Sequence, residues 1–548
     1  MPKVWRRGLL LAIAGLLAAQ SPAAAERAQG NLVDVRWLEK NLANPGVLIL
    51  DASPAPMYQA QHIPGAVSVS LLAYGARELP VPEMERLFGS WGVSPEKTVV
   101  VYDQGGTFLA TRIFFSLYYH GFPADRLLLL DGGLSKWQAS ALPVTKEATP
   151  APKAGSFRVR AVKEDARVRL PEFLAASGDP VNNVLLEALG ADWHFGEVVA
   201  FNRAGHPPFG ILLPSADLFN PDKTFKSPDE LRRMLAYLRV RPEQRIHTYC
   251  GGGVAASAPF FALKFILGYP EVRLYVESEM GWLSDERDLP YWTYDAPFLM
   301  RDARWLQSWG GRMMRMYANS PVSVVDVRSA DAYSEGHVPF ALNIPAGVFE
   351  QNLGSPEKLA ALLGPAGVDA SHEAVIVSGA GLTRESALAF LVLEKLGQKK
   401  VSVFTDSMDR WMQLGLEATK APTVVAPRKA PQDLAIPPTT YPANPREGVV
   451  ITDPANPGGP YPRVFVASGA TVPATAPGTV VHVRCTDLLN ADGTPRPAKD
   501  IWKTLTKAGV PRYAELVCFS DDPGEAALNY FVLKLMGYPD VKVLVTTR

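Results

Sequence analysis

Cys250 is the residue of this chain best placed for chemistry. It stands in Thr248-Tyr249-Cys250-Gly251-Gly252-Gly253-Val254-Ala255-Ala256, where an apolar strand pattern gives way to a helical one. Only 3 of the 548 residues are cysteine. Successive backbone N–H groups that open onto a helix N-terminus stabilise an anion at their centre, so a thiol held there ionises more readily than a free one. Three consecutive glycines are costly to order unless the backbone must wrap something closely. The predicted chemistry is nucleophilic: a thiolate held by the loop Gly251, Gly252, Gly253, Val254 and Ala255. Cys518 lies inside an apolar strand and is expected in the core, and Cys485 follows a different strand, so no disulfide between the two is expected. None of the cysteines makes a CxxC pair, and the 8 histidines show no HExxH spacing, so neither a metal nor a cofactor is expected.

The elements that position Cys250 occur four times. The strands Thr98-Val99-Val100-Val101-Tyr102, Ile246-His247-Thr248-Tyr249, Ala374-Val375-Ile376-Val377 and Leu516-Val517-Cys518-Phe519 are each followed by a polar or Gly-rich loop and an apolar helix. The residues opening the four loops are Asp103, Cys250, Ser378 and Ser520, and the helices are predicted to end at Gly121, Gly268, Gly397 and Gly537. Upstream, Ile49-Leu50-Asp51 precedes His62-Ile63-Pro64-Gly65-Ala66, and Leu185-Leu186-Glu187 precedes Arg203-Ala204-Gly205-His206. Val324-Val325-Asp326-Val327-Arg328 precedes Gly336-His337-Val338-Pro339, and Val450-Ile451-Thr452-Asp453 is the matching strand end expected in the fourth copy. Alternation of strands and helices predicts an α/β fold of four domains, each a central mostly parallel sheet with helices on both faces.

Length and composition bound the rest. A chain of 548 residues, 47% hydrophobic and 20% charged, suits three or four globular domains. Lys+Arg 55 against Asp+Glu 55 leaves no electrostatic case for nucleic acid or an anionic membrane surface. Lys3, Arg6 and Arg7, an apolar run over residues 9–19, and Ala23-Ala24-Ala25 form a secretory signal pattern, so residues 1–25 are expected to be removed on export to the periplasm. The apolar run is short for a membrane span, and no stable span is expected after cleavage. The predicted domains are residues 30–145, 160–295, 300–420 and 447–548, with a Pro-rich linker over 421–446 and the fourth copy trimmed.

Several of these motifs together resemble the rhodanese superfamily of sulfurtransferases. They are Asp326-Val327-Arg328 with Tyr333 and Gly336-His337-Val338-Pro339, His62-Ile63-Pro64-Gly65-Ala66, and Leu130-Asp131-Gly132-Gly133-Leu134 with Trp137. The first two repeats look like the tandem pair of thiosulfate and 3-mercaptopyruvate sulfurtransferases, with Asp103 in the first where Cys250 stands in the second. The neutral Cys250 loop resembles the mercaptopyruvate type, since the thiosulfate type carries basic residues directly after its Cys. The resemblance implies two displacements on sulfur. Cys250 takes a sulfane sulfur from a small-molecule donor as a persulfide, and a thiol, a cyanide-like nucleophile or a periplasmic protein accepts it. It also implies that Arg203 binds a donor carboxylate and that Asp51, His62 and Ser278 assist proton transfer. The family's second Arg is absent near Trp193-His194-Phe195-Gly196, where His194 is its substitute. Val276, Glu277 and Glu279 depart from the family's usual pattern around Ser278. The repeats with Asp103, Ser378 and Ser520 cannot form a persulfide and are expected to be scaffolding or partner surfaces. Two other readings stay open: a non-catalytic sulfur-carrier or partner-binding scaffold, and a relative of the phosphatase branch. The short Cys loop without a terminal Arg disfavours the last.

Overall fold

In the computed structural model, residues 30–71, 78–317, 320–430, 433–455, 458–473 and 478–545 are described. The predicted signal over residues 1–25 lies outside them. The four apolar runs that precede the loops form strands Thr98–Tyr102, Arg245–Tyr249, Glu373–Val377 and Glu515–Phe519. β-branched and aromatic residues, buried on both pleat faces, place each at the middle of a sheet. All four sheets have five strands in one spatial order: first, fifth, fourth, second, third along the chain. Every strand pair within them is parallel. The α/β class and the fourfold architecture expected from sequence are therefore found.

The chain divides into two compact units, residues 1–162 with 219–225, and residues 163–218 with 226–548. The first unit holds the first sheet. Segment 219–225 belongs to it through the Phe225 N–H, which donates to Asp131 Oδ1 at 2.8 Å, and through a Lys136–Asp222 ion pair at 2.6 Å.

The second unit holds the other three sheets. Helices Arg384–Leu396 and Pro523–Leu535 are apolar on nearly every side, so neither can sit on one sheet alone. They pack on each other and merge the third and fourth repeats into one core. Phe390 meets Phe531 edge to face at 5.0 Å between ring centroids. The predicted helix-end glycines all take positive φ, from 71° at Gly268 to 95° at Gly397.

Sequence and structure differ in the fourth repeat. Val450–Ile451 is the edge strand beside Val541–Leu544, and the second strand is Arg463–Ala467, followed by Ser468. A two-residue edge strand has no periodicity by which to tell it from a central one. All three cysteines are free thiols, and Cys518 is fully buried within its strand.

Candidate active site

The strand Arg245–Tyr249 delivers Cys250 to its loop, and helix Ser257–Phe261 begins after it and continues as a π turn over Ala262–Ile266. Cys250 is 2% exposed. Ser278 Oγ accepts from the Cys250 N–H at 3.0 Å, donates to the Tyr275 carbonyl at 2.7 Å and lies 4.0 Å from Cys250 Sγ. Ser278 itself has a left-handed φ of 50°, a strained conformation held by those bonds. The other side of the loop is tied by N–H donation from Glu279 to the Cys250 carbonyl and from Met280 to the Gly251 carbonyl, both 2.9 Å. Gly253 has φ +76°, and a Cβ there would lie 2.4 Å from the Val276 carbonyl oxygen, so only glycine fits. Around Gly251 and Gly252 stand the apolar side chains of Leu189, Trp193, Phe201 and Met280.

The four loops differ in what fills them. In the first repeat the Asp103 carboxylate accepts from Gly105 N at 2.7 Å, Ala110 N at 2.9 Å and the Thr107 hydroxyl, so that loop is filled by its own anion. In the third, Ser378 Oγ donates to the Gly381 carbonyl and Leu382 N–H to the Gly493 carbonyl, and a Cβ on Gly381 would lie 2.9 Å from the Gly493 backbone. In the fourth, Ser520 Oγ bonds the Glu525 carboxylate at 2.6 Å. Among the described residues the amides from Gly251 to Ala255 have no protein acceptor. They are free to hold a charge on sulfur.

Behind Cys250 lies a buried cluster that sequence reasoning missed as a group. Strand register pairs Glu187 with Tyr249, the residue before Cys250. Glu187 accepts from Tyr249 Oη at 3.1 Å and from His194 Nδ1 at 2.6 Å. His194 Nε2 donates to Asp295 Oδ1 at 2.6 Å. Burial disfavours charge on His194, but Asp295 and Glu187 outweigh it and raise its pKa to about 9. Stacked on it at 3.7 Å, His206 is driven down to about 4, by burial first and then by the His194 charge. Burial also opposes charge on Glu187, yet His194 and His206 keep its pKa low. Glu279 is pushed well above the usual carboxyl range by burial, then by the charge of Glu187, to which it is hydrogen-bonded, and by Cys250. Burial and the neighbouring Glu187 charge thus favour its protonated form.

Glu187, His194 and His206 offer ligand atoms all within 4.8 Å of one another. Their geometry is poor for a cation. The two imidazoles are parallel to within 4°, so their lone pairs do not converge, and both His194 nitrogens are bonded to carboxylates.

The remaining predicted residues fall as follows. Arg203 is committed to protein: Nε donates to the Leu283 carbonyl at 3.0 Å, Nη2 to Trp282 O at 2.8 Å, and Nη1 to Leu289 O and Asp288. Its guanidinium caps the end of the Ser278–Leu283 helix. Asp51 accepts from Ser53 N at 2.8 Å, and burial raises its pKa. His62 stacks on Tyr58 at 3.8 Å and donates from Nδ1 to the Tyr58 carbonyl. His337 repeats this on Tyr333 at 3.6 Å, in a repeat with Ser378 at the loop start. Asp51 and His62 thus occupy anchor positions that recur in a repeat without the thiol. Of the predicted residues, the loop brings together Cys250, its glycines and Ser278.

A Rhodanese-like domain model matches residues 34–140 and 312–414. A protein named "Probable 3-mercaptopyruvate sulfurtransferase" from Pseudomonas aeruginosa is 32% identical over 279 residues, 47% of this chain and 96% of its own length. The sulfur carrier protein TtuD of Thermus thermophilus is 29% identical over 276 residues, covering 46% of this chain and 93% of that protein. Among solved structures, the 3-mercaptopyruvate sulfurtransferase SseA of Escherichia coli matches with TM-score 0.41 at 28% identity, covering 45% of this chain and 98% of that one. The repeated sheets, the thiol loop, the domain match and the Pseudomonas relative agree: the chain belongs to the rhodanese superfamily, as a tandem sulfurtransferase-type protein expanded to four rhodanese-like repeats.

Proposed function

We propose that this chain is an exported sulfurtransferase. It moves a sulfane sulfur from a thiosulfate or 3-mercaptopyruvate-like donor to a thiol or cyanide-like acceptor through a persulfide on Cys250. The observation that carries the reading is the contrast among loops: one holds a thiol under unoccupied amides, while the others are filled by Asp103, by the Gly493 backbone and by Glu525. Cys250 attacks the donor sulfur, and the amides of Gly251, Gly252, Gly253, Val254 and Ala255 hold the persulfide anion until the acceptor removes the outer sulfur. Ser278 keeps Cys250 in register through its backbone N–H. The apolar walls from Trp193, Phe201 and Met280, with no basic residue directly after Cys250, favour a mercapto acid over a dianion. We assign no donor-binding role to Arg203, whose donors are spent on carbonyls and Asp288.

Sulfur-transfer turnover of the full chain, with thiosulfate and with 3-mercaptopyruvate as donors and cyanide as acceptor, tests the proposal. Cys250→Ser abolishes turnover, whereas Cys485→Ser retains it. Equal turnover in wild type and Cys250→Ser contradicts the reading. The name of the Thermus relative favours a second reading, a sulfur carrier for a protein acceptor. It predicts persulfide on Cys250 with transfer only to a protein. Export rests on the pattern over residues 1–25, and the N-terminal sequence of the protein recovered from the periplasm tests it.

A further inference from the structure

Glu279 has no part in the reaction as given above, yet its surroundings are specific. It is 1% exposed. Its N–H donates to the Cys250 carbonyl at 2.9 Å. Its carboxyl is hydrogen-bonded to Glu187, and two carboxyls in such contact share one proton. From Glu187 the bonded path runs through His194 to Asp295, each link 2.6 Å, and the Asp295 side chain is 19% exposed. Tyr249 Oη on Glu187 and the His206 ring on His194 complete the titratable groups around it.

The other repeats show that Glu279, His194 and Asp295 are not required by the fold. In the first repeat Leu134 makes the Glu279 backbone bond, donating to the Asp103 carbonyl at 2.8 Å, with an apolar side chain. Tyr58 and Tyr333 stand where His194 does, stacked on the matching histidines, and their hydroxyls donate to the backbone carbonyls of Ala66 and Ala341. The bridge partners of the three histidines are Thr145, Trp292 and Thr419. Three residues beyond them come Ala148, Asp295 and Pro422. Glu279, the His194 imidazole and Asp295 occur together with the thiol, while the Glu187 position keeps a carboxylate as Asp51 and Asp326 and the His206 position a histidine as His62 and His337.

We propose that Glu279 is a proton-transfer residue of the Cys250 reaction and serves donors in which sulfur leaves carbon. The inference rests on the persulfide reading. With a 3-mercapto-2-oxo acid, the Cys250 thiolate attacks the donor thiol sulfur. The S–S bond forms, the C–S bond breaks, and its electron pair remains on carbon as an enolate. Glu279 gives that carbon its proton. The proton of the donor thiol, now on the outer persulfide sulfur, returns to the Glu279–Glu187 pair. The products are a 2-oxo acid and the persulfide anion, and the cluster is unchanged. Thiosulfate needs no such step, because sulfite leaves with the S–S electron pair.

The test is single-turnover loading of Cys250 from 3-mercaptopyruvate, followed by intact mass, in the full chain and in Glu279→Gln. Glutamine fills the same space and can donate to Glu187 but has no transferable acid proton. Loading slows about 100-fold, as for loss of a general acid, and Glu279→Asp recovers part of it. The wild-type rate falls as pH rises through the Glu279 titration, and the Gln variant lacks that limb. Discharge to cyanide, after loading with inorganic polysulfide, moves no proton and reports an intact loop, so it changes far less than loading. The inference is overturned if Glu279→Gln loads at the wild-type rate or slows discharge as much as loading. It is also overturned if the wild type loads from polysulfide but never from 3-mercaptopyruvate, an outcome that leaves the persulfide reading standing. Failure of the wild type to load from any donor removes that reading, and with it this one.

Discussion

Cys250 is held by its neighbours' backbone, and Ser278 is the one side chain that bonds its N–H. Ser278→Ala leaves that buried N–H without an acceptor, at a cost of about 1–3 kcal/mol. A lower melting temperature and slower persulfide loading are expected together. The buried histidines set opposite pH limbs. His206 has a folded pKa of about 4, below the ordinary 6.5, so the unfolded chain takes up a proton first, and stability falls as pH drops from 6.5 towards 4. His194, raised to about 9, contributes stability in full below 6.5 that is lost as pH rises through 9. Melting temperature against pH checks both: His194→Gln loses the alkaline limb, and an unchanged limb there contradicts the ion-pair cluster. Cys250 was legible in the sequence because its glycines are local to it. The cluster was not, because Glu187, Glu279 and Asp295 are far apart along the chain and meet only through strand register and the His206–Trp292 bridge. Arg203 matched a motif by position, and only the fold shows that carbonyls take its donors.

At the scale of elements, the Cys250 loop depends on one glycine and the second unit on one helix pair. Gly253→Ala places a Cβ 2.4 Å from the Val276 carbonyl at φ +76°, so the loop must shift, with strain of about 1–3 kcal/mol. Loss of persulfide loading in a folded protein, seen by intact mass beside circular dichroism, is the expected result. Phe531, fully buried and packed on Phe390, is predicted to cost about 3–5 kcal/mol when replaced by alanine. That variant melts earlier while its remaining folded fraction still loads Cys250. Central strands and long helices were legible because five apolar residues or three helical turns carry a periodic signal. The edge strands Leu32–Val33, Arg167–Val168, Met300–Arg301 and Val450–Ile451 were not, since two residues hold no period and pairing alone defines them.

Across the whole molecule, four copies of one fold carry one thiol at a loop start, and within the second unit the copies without it are structural partners of the copy that has it. Within the second unit the Cys250 repeat is bonded to the fourth. Tyr237 Oη donates to the Ala514 carbonyl at 2.9 Å, Arg512 Nη2 to the Leu212 carbonyl at 2.8 Å, and Tyr294 Oη to the Arg496 carbonyl at 2.7 Å. Phe195 and Leu212 of the Cys250 repeat share the core of the third and fourth. A chain ending before Met300 therefore exposes apolar surface. It is predicted to give less soluble protein and a lower melting temperature than the full chain, and equal values for the two contradict this. The fourfold repeat was plain in sequence, whereas this dependence arises from helices whose partners lie more than a hundred residues away.

The central claim is that sulfur resides on Cys250. Intact mass of the full chain after incubation with 3-mercaptopyruvate or thiosulfate, followed by peptide mapping, measures it directly. The account predicts a gain of one sulfur atom, located on the peptide that contains Cys250 and removed by cyanide. A mass unchanged by every donor, or a sulfur found on Cys485 or Cys518 instead, would contradict it.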